Sequence, residues 1–209
     1  MHNLKNQTNF LEAIYNKEPY KGVGIDVAHA MVLFGVILAQ KPKNILELGI
    51  GTGVASETIL NAIKYNSTEC QYDAVDFCMQ FSETTKRYEY QGHWAYPTHE
   101  YIEKLRKENV NLIGLDEKVF VENCESNKYD LIISDADHER AGEWADHIFR
   151  ICKPNGIIFM HDIAGTWYPS LQKYMKYINN HSIPHYLFEK NSRADEICQR
   201  GWLMIINKK

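Results

Sequence analysis

The sequence predicts an α/β fold: a three-layer α/β/α sandwich around a doubly wound, mostly parallel seven-stranded sheet with a C-terminal antiparallel hairpin. Three observations predict it. Short apolar runs recur along the chain with helical segments between them, and such runs suit strands buried on both faces. The run Asn44-Ile45-Leu46-Glu47-Leu48 leads directly into Gly49-Ile50-Gly51-Thr52-Gly53, with three glycines at alternate positions before a helix. The last two apolar runs are separated only by a polar loop, so they can pair as a hairpin. A chain of 209 residues can bury most of its apolar surface in one core. It is read as one domain over 1–209, with an N-terminal helical segment over about 1–42 and an insertion over about 77–97.

The elements follow in order. Residues 25–40 suit a largely buried helix, with Asp26 as its N-cap and Pro42 just past its end. The first strand covers 44–48, and the helix over 54–65 points its N-terminus at whatever the glycine loop holds. A second strand is predicted over 71–76, a helix over 98–109, a third strand over 110–113 and a brief helix over 116–124. The fourth strand, 129–134, is almost continuously apolar. After a helix over 141–151, Lys153-Pro154-Asn155-Gly156 is a turn signal, and 157–160 supplies the fifth strand. Residues 168–179 read as a helix with Pro169 in its first turn, and 185–189 and 202–207 as the closing strands.

Composition narrows the function. The chain has 23 Lys and Arg against 27 Asp and Glu, and no long basic block, so nucleic acid is not an expected partner. The N-terminus lacks the apolar core of a secretory signal, and the longest apolar run, 30–39, is too short to span a bilayer. No membrane partner and a cytoplasmic location are therefore expected. Cys70, Cys78, Cys124, Cys152 and Cys198 are odd in number and form no C-x-x-C pair, which points to reduced, mostly buried thiols.

The strand, glycine loop and helix together read as a nucleotide or nucleoside site. A dinucleotide fingerprint needs a third glycine where the frame from Gly49 and Gly51 has Val54, and the frame from Gly51 and Gly53 ends in Ser56. No Gly-Lys-Ser or Gly-Lys-Thr follows, so the phosphate loop of nucleotide triphosphatases is excluded as well. What remains, E-x-G-x-G-x-G, resembles motif I of the S-adenosylmethionine-dependent methyltransferases with the Rossmann-like fold. The resemblance implies S-adenosylmethionine as cofactor. It places Glu47, Gly49, Ile50, Gly51 and Gly53 around the amino acid portion, Asp76 on the ribose hydroxyls with Phe77 beside it, and Leu115 and Asp116 at the adenine. Asp135 completes the implied cofactor-binding set, and a negative Glu47 would favour a cation nearby. The chemistry of Asp76 agrees, because a carboxylate accepts from two vicinal hydroxyls and repels a 2′-phosphate.

Two further strand ends carry ionisable residues: Ser134-Asp135-Ala136-Asp137-His138 and His161-Asp162. Adjacent parallel strands would bring them together as a site for magnesium or manganese on Asp135, His161 and Asp162. Such an ion lowers the pKa of a substrate hydroxyl and positions it. Ser-Asp-Ala-Asp-His, Asp146 nine residues after Asp137, and Lys-Pro-Asn-Gly before an apolar strand and His-Asp resemble a small-molecule O-methyltransferase subgroup. That subgroup is related to the catechol O-methyltransferase-like and cephalosporin-hydroxylase-like enzymes. It implies methyl transfer to a hydroxyl of a small acceptor: a sugar, a natural-product intermediate or a phosphorylated metabolite. The chain departs from it in Glu139-Arg140, where serine-tyrosine is usual, and in His161, where metal-using relatives have an acidic or amide residue.

Asp135, His138, His161 and Asp162 are the catalytic candidates. His161 has three open roles: metal ligand, general base toward the acceptor hydroxyl, or structural residue. His138 either orients a ligand or caps the helix near Ala141. Phe77, Phe81, Tyr88, Tyr90, Trp94 and Tyr96, interleaved with Lys86, Arg87 and His93, suit a substrate lid or, equally, a subunit interface in a homo-oligomer or a satellite core. Two rivals stand beside methyl transfer: a nicotinamide-dependent oxidoreductase, and an S-adenosylmethionine-binding module without catalysis.

Overall fold

The computed structural model describes residues 25, 27–67, 69–82, 84, 87–90, 99–163, 168–188 and 201–208. In chain order the elements are α1 (Val27–Gln40), β1 (Asn44–Leu48), α2 (Val54–Asn66), β2 (Gln71–Val75), β3 (Met79–Ser82), β4 (Arg87–Tyr90), α3 (His99–Lys107) and β5 (Asn111–Ile113). There follow α4 (Glu117–Asn123), β6 (Tyr129–Ser134), a 3₁₀ turn (Ala141–Trp144), α5 (Ala145–Ile151), β7 (Cys152–His161), α6 (Gln172–Asn180), β8 (His185–Phe188) and β9 (Trp202–Ile206).

Seven strands form one sheet in the order β5-β2-β1-β6-β7-β9-β8. Neighbours from β5 to β7 are parallel, while β9 runs antiparallel to both β7 and β8. The chain winds outward from β1 through β2 to β5, then returns to β6 on the other side of β1. This reversal between β1 and β6 is the switch point at whose carboxyl edge ligands bind in such sheets.

Alternate residues of each central strand enter opposite cores. Ile45, Leu131, Ile133 and Phe159 pack with Leu33, Ile59 and Ile102 from α1, α2 and α3. Leu46, Leu48, Ile132, Ile158 and Met160 pack with Val121, Ile148, Phe149 and Ile178 from α4, α5 and α6. Burial on both faces explains why the strands read as unbroken apolar runs, and each such side chain contributes about 1.5–3 kcal/mol of transfer free energy.

Some expectations are corrected and others refined. The turn signal at 153–156 does not end an element: β7 is one strand, and its register on β6 jumps from Tyr129↔Cys152 to Leu131↔Ile157. Asn155 takes a left-handed φ of 61°, and the buried amide of Asn207 donates to the carbonyls of Phe149, Cys152 and Lys153, so the bulge is satisfied by a residue far along the chain. The helix over 141–151 divides into the 3₁₀ turn and α5, and Pro169 lies in a turn ahead of α6. As expected, the closing strands pair antiparallel at the end of the sheet, with β9 between β7 and the edge strand β8. The stretch after β2 contains the separate two-stranded ladder β3–β4.

The proposed N-cap Asp26 lies outside the described residues, as do Lys86, His93, Trp94, Tyr96 and Cys198. Cys70, Cys78, Cys124 and Cys152 are free thiols, two of them buried. Among the described residues no helix is long and apolar enough to cross a membrane.

Candidate active site

The glycine loop is shaped by close approach. At Gly49, with φ 87°, a Cβ would lie 2.4 Å from the Asp135 carbonyl oxygen, so only glycine lets β1 and β6 end side by side there. Gly53, with φ 82°, starts α2. Between them the Ile50 N–H donates to Asp76 Oδ2 at 3.1 Å, while the Cys78 N–H donates to Oδ1 at 2.8 Å. The Asp76 carboxylate thus fixes the loop and still has lone pairs for further donors.

A cavity of about 650 Å³ opens over these strand ends, within the range of cofactor pockets. Of the residues predicted from sequence, Gly49, Gly51, Asp76, Phe77, Leu115, Asp116, Asp135 and His138 line it. Glu47, Ile50, Gly53, His161 and Asp162 do not form its lining. Sequence reasoning missed Glu117, Arg140 and Tyr168 as lining residues. Arg140 reaches Asp116 at 3.0 Å and Asp137 at 2.6 Å, joining the two walls of the cavity; its one signal in the sequence is the departure from serine-tyrosine. Tyr168 tilts over the His138 ring at 4.9 Å, and nothing local in the sequence marks it. The Glu117 carboxyl receives the Asp137 N–H and the Ser134 hydroxyl, and burial raises its pKa.

Glu47 lies beneath the loop, completely buried. It accepts from the Ser56 hydroxyl at 2.7 Å and from the Tyr72 hydroxyl, joining α2, β1 and β2. Burial pushes its carboxyl up to about 8 against the pull of these hydroxyls, so at neutral pH it is mostly protonated. The negative charge expected there is therefore replaced by a neutral acid that braces the loop.

Asp135 and Asp162 form the opposite case. His161 Nδ1 stands 3.0 Å from Asp135 Oδ1 and 3.3 Å from Asp162 Oδ1. His138 Nε2 stands 3.2 Å from both Asp135 Oδ1 and Asp162 Oδ2, while its Nδ1 faces the Ala136 carbonyl at 2.8 Å. With oxygen acceptors beside both nitrogens, the His138 ring is set up to carry two protons. Burial opposes that charge, but Asp135 and Asp162 outweigh it and hold the imidazole up at about 11; His161 is raised in the same way, chiefly by Asp135. Burial likewise disfavours the two carboxylates, yet His161 and His138 pull both below their ordinary range. His138 therefore does not cap the following turn, where Asp137 instead accepts the Arg140 N–H at 3.0 Å. Asp162 adopts a left-handed φ of 56° at the end of β7, and His29 of α1 sets its ring edge-on to His161 at 5.9 Å.

The donor set bears on a metal. One atom each from Asp135, His138 and His161 falls within 4.8 Å of the others, whereas Asp162, expected as a ligand, stands outside that grouping. Two imidazoles and a carboxylate suit a borderline transition ion better than magnesium, which prefers oxygen. An ion bound there would also have to displace the imidazole protons. The glycine loop, the free lone pairs of Asp76 and the size of the cavity fit a nucleoside cofactor with an amino acid tail.

An α/β sheet with a glycine loop at its switch point, an acid ending β2 and a cavity joining both to Asp135 defines a nucleoside-cofactor enzyme of the doubly wound class. The family model described as methyltransferase domain matches residues 46–163, more than half of the chain, and the chain belongs to that family. No curated protein matches its sequence. Among solved structures it is similar to cofactor-bound Rv0187 from MTB, with TM-score 0.67 and 11% identity over 98% of this chain and 90% of that one. It is also similar to the O-methyltransferase of Bacillus cereus in complex with SAH, with TM-score 0.64 and 15% identity over 96% and 91% of the two chains. A third likeness is TomG of Streptomyces achromogenes, an O-methyltransferase of tomaymycin synthesis in complex with SAM, with TM-score 0.66 and 9% identity over 96% and 90%. At these identities the likeness is one of fold, the Rossmann-like methyltransferase fold.

Proposed function

We propose that the protein transfers the methyl group of S-adenosylmethionine to a hydroxyl oxygen of a small molecule. The observation that carries this reading is that the glycine loop and Asp76 face the same cavity as Asp135 and His138. Complexes of TomG with SAM and of the Bacillus cereus enzyme with SAH support the choice of cofactor. When bound, S-adenosylmethionine supplies a methyl group made electrophilic by its sulfonium. Gly49, Gly51 and Asp76 would hold it, with Leu115 and Asp116 along the same wall.

Asp135 acts on the acceptor. Its carboxylate, kept ionised by His161 and His138, accepts the hydrogen of the acceptor hydroxyl and aims a lone pair of that oxygen. As the oxygen becomes an ether its proton turns strongly acidic, so a carboxylate of depressed pKa suffices to take it. His138, held up at about 11, is protonated and does not start as the base, and with His161, which Asp135 raises in the same direction, it holds the charge and geometry of Asp135. A divalent ion on Asp135, His138 and His161 would supply Lewis-acid polarisation of the same hydroxyl.

Product-detecting turnover against hydroxylated sugars, natural-product intermediates and phosphorylated metabolites tests the reading. Asp135→Ala and Asp162→Ala should lower kcat by about 10²-fold or more while leaving cofactor affinity within a few fold. Unchanged turnover in both variants would refute the acidic site. Activity that persists in a strong chelator assigns proton handling to the residues alone, and activity lost in it assigns the step to a bound ion.

A further inference from the structure

We infer that Tyr101, on α3, is a positioning residue of the glycine loop, through which the helix closing the 77–97 insertion sets the affinity for cofactor. The inference rests on the reading of the cavity as an S-adenosylmethionine site. Tyr101 itself is not among the residues lining that cavity.

Its ring fills the space that glycine leaves. A Cβ on Gly53 would lie 2.2 Å from Tyr101 Cε1 and 2.3 Å from Cζ, so ring and backbone are in direct contact where the loop turns into α2. The Tyr101 hydroxyl donates to the Gly53 carbonyl at 3.0 Å. From there hydrogen bonds run through the loop: the Gly53 N–H to the Ile50 carbonyl at 2.9 Å, and the Ile50 N–H to Asp76 Oδ2 at 3.1 Å. The chain closes at Asp76 Oδ1, which receives the Cys78 N–H at 2.8 Å. Cys78 opens the insertion and α3 follows it, so both flanks of that segment are tied to the loop that faces the cavity. Lys104, one turn beyond Tyr101, pairs with Glu57 in the first turn of α2 and fixes α3 against the same helix.

Rigid, preorganised donors bind a ligand without a further ordering cost, so loosening one end of this chain of bonds should weaken binding and spare the chemical step. Calorimetry with S-adenosylhomocysteine on the full chain tests this. Tyr101→Phe keeps the ring and loses the hydroxyl that bonds the Gly53 carbonyl, and its Kd should rise about fivefold. Tyr101→Ala also empties the space beside Gly53 and should raise Kd more than about tenfold, with kcat at saturating cofactor within about twofold of the parent and the acceptor KM unchanged. Should the alanine variant fail to fold, the phenylalanine variant decides. Parental affinity in Tyr101→Phe, or a drop in Tm and kcat with Kd unchanged, overturns the inference. A parent protein that does not bind S-adenosylhomocysteine overturns the underlying reading instead, and the inference with it.

Discussion

A buried acid and a pair of half-buried ones flank the carboxyl edge of the sheet and reach opposite charge states. Glu47 is surrounded by hydroxyls, from Ser56 and Tyr72, and its carboxyl rises to about 8. Asp135 and Asp162 are surrounded by imidazoles, from His138 and His161, and both fall below the ordinary range. Burial pushes all three acids toward neutrality, so burial does not separate them. The neighbours do: neutral hydroxyls stabilise a carboxylate modestly, whereas a cation a few ångströms away outweighs desolvation. The neutral acid braces β1 against β2 and α2, and the charge-paired acids are the ones able to handle a proton.

The comparison breaks most readily at His138. His138→Ala leaves two carboxylates with one imidazole and should cost about 3–5 kcal/mol of stability near pH 6 by chemical denaturation. In the parent, the raised imidazole contributes fully below the unfolded value near 6.5, and that contribution fades as pH climbs toward about 11. The depressed carboxylates contribute above their unfolded value near 3.8 and lose it as pH falls. The gap between variant and parent should therefore narrow from pH 6 to pH 9; a gap that widens would mean His138 is not held as a cation.

A smaller effect is expected at Glu47. Because the folded chain keeps a proton that the unfolded chain releases, this group makes stability fall as pH rises from about 4.5 to about 8. Glu47→Gln keeps an acceptor for Ser56 and Tyr72 and cannot ionise, so at pH 5 it should lie within about 1 kcal/mol of the parent. Between pH 5 and pH 8 it should lose less stability than the parent does. Equal losses in the two proteins would place a charged carboxylate in the core and erase the contrast with Asp135.

How much was legible follows from the range of the contacts. Asn44 to Leu48 and Tyr129 to Ser134 could be read as strands because burial on both faces demands unbroken apolar character. The glycine loop was legible because its conformation is a local demand. Asp76 and Asp135 could be picked out as acids ending strands, and both line the cavity. Partners were not legible: that Tyr72 reaches Glu47, that His138 turns inward between Asp135 and Asp162, and that Tyr101 seats Gly53 all depend on contacts between separate elements. The bulge in β7 escaped for the same reason, since Lys153 to Gly156 has the composition of a turn and only Asn207 makes it part of a strand.

The central claim, that the cavity lined by Gly49, Gly51 and Asp76 takes S-adenosylmethionine and not a dinucleotide, is tested most directly by calorimetry of the purified chain. Titration with S-adenosylmethionine and S-adenosylhomocysteine should give saturable heats at a single site, and NAD should give none. Binding of NAD with no response to either S-adenosyl compound would contradict it.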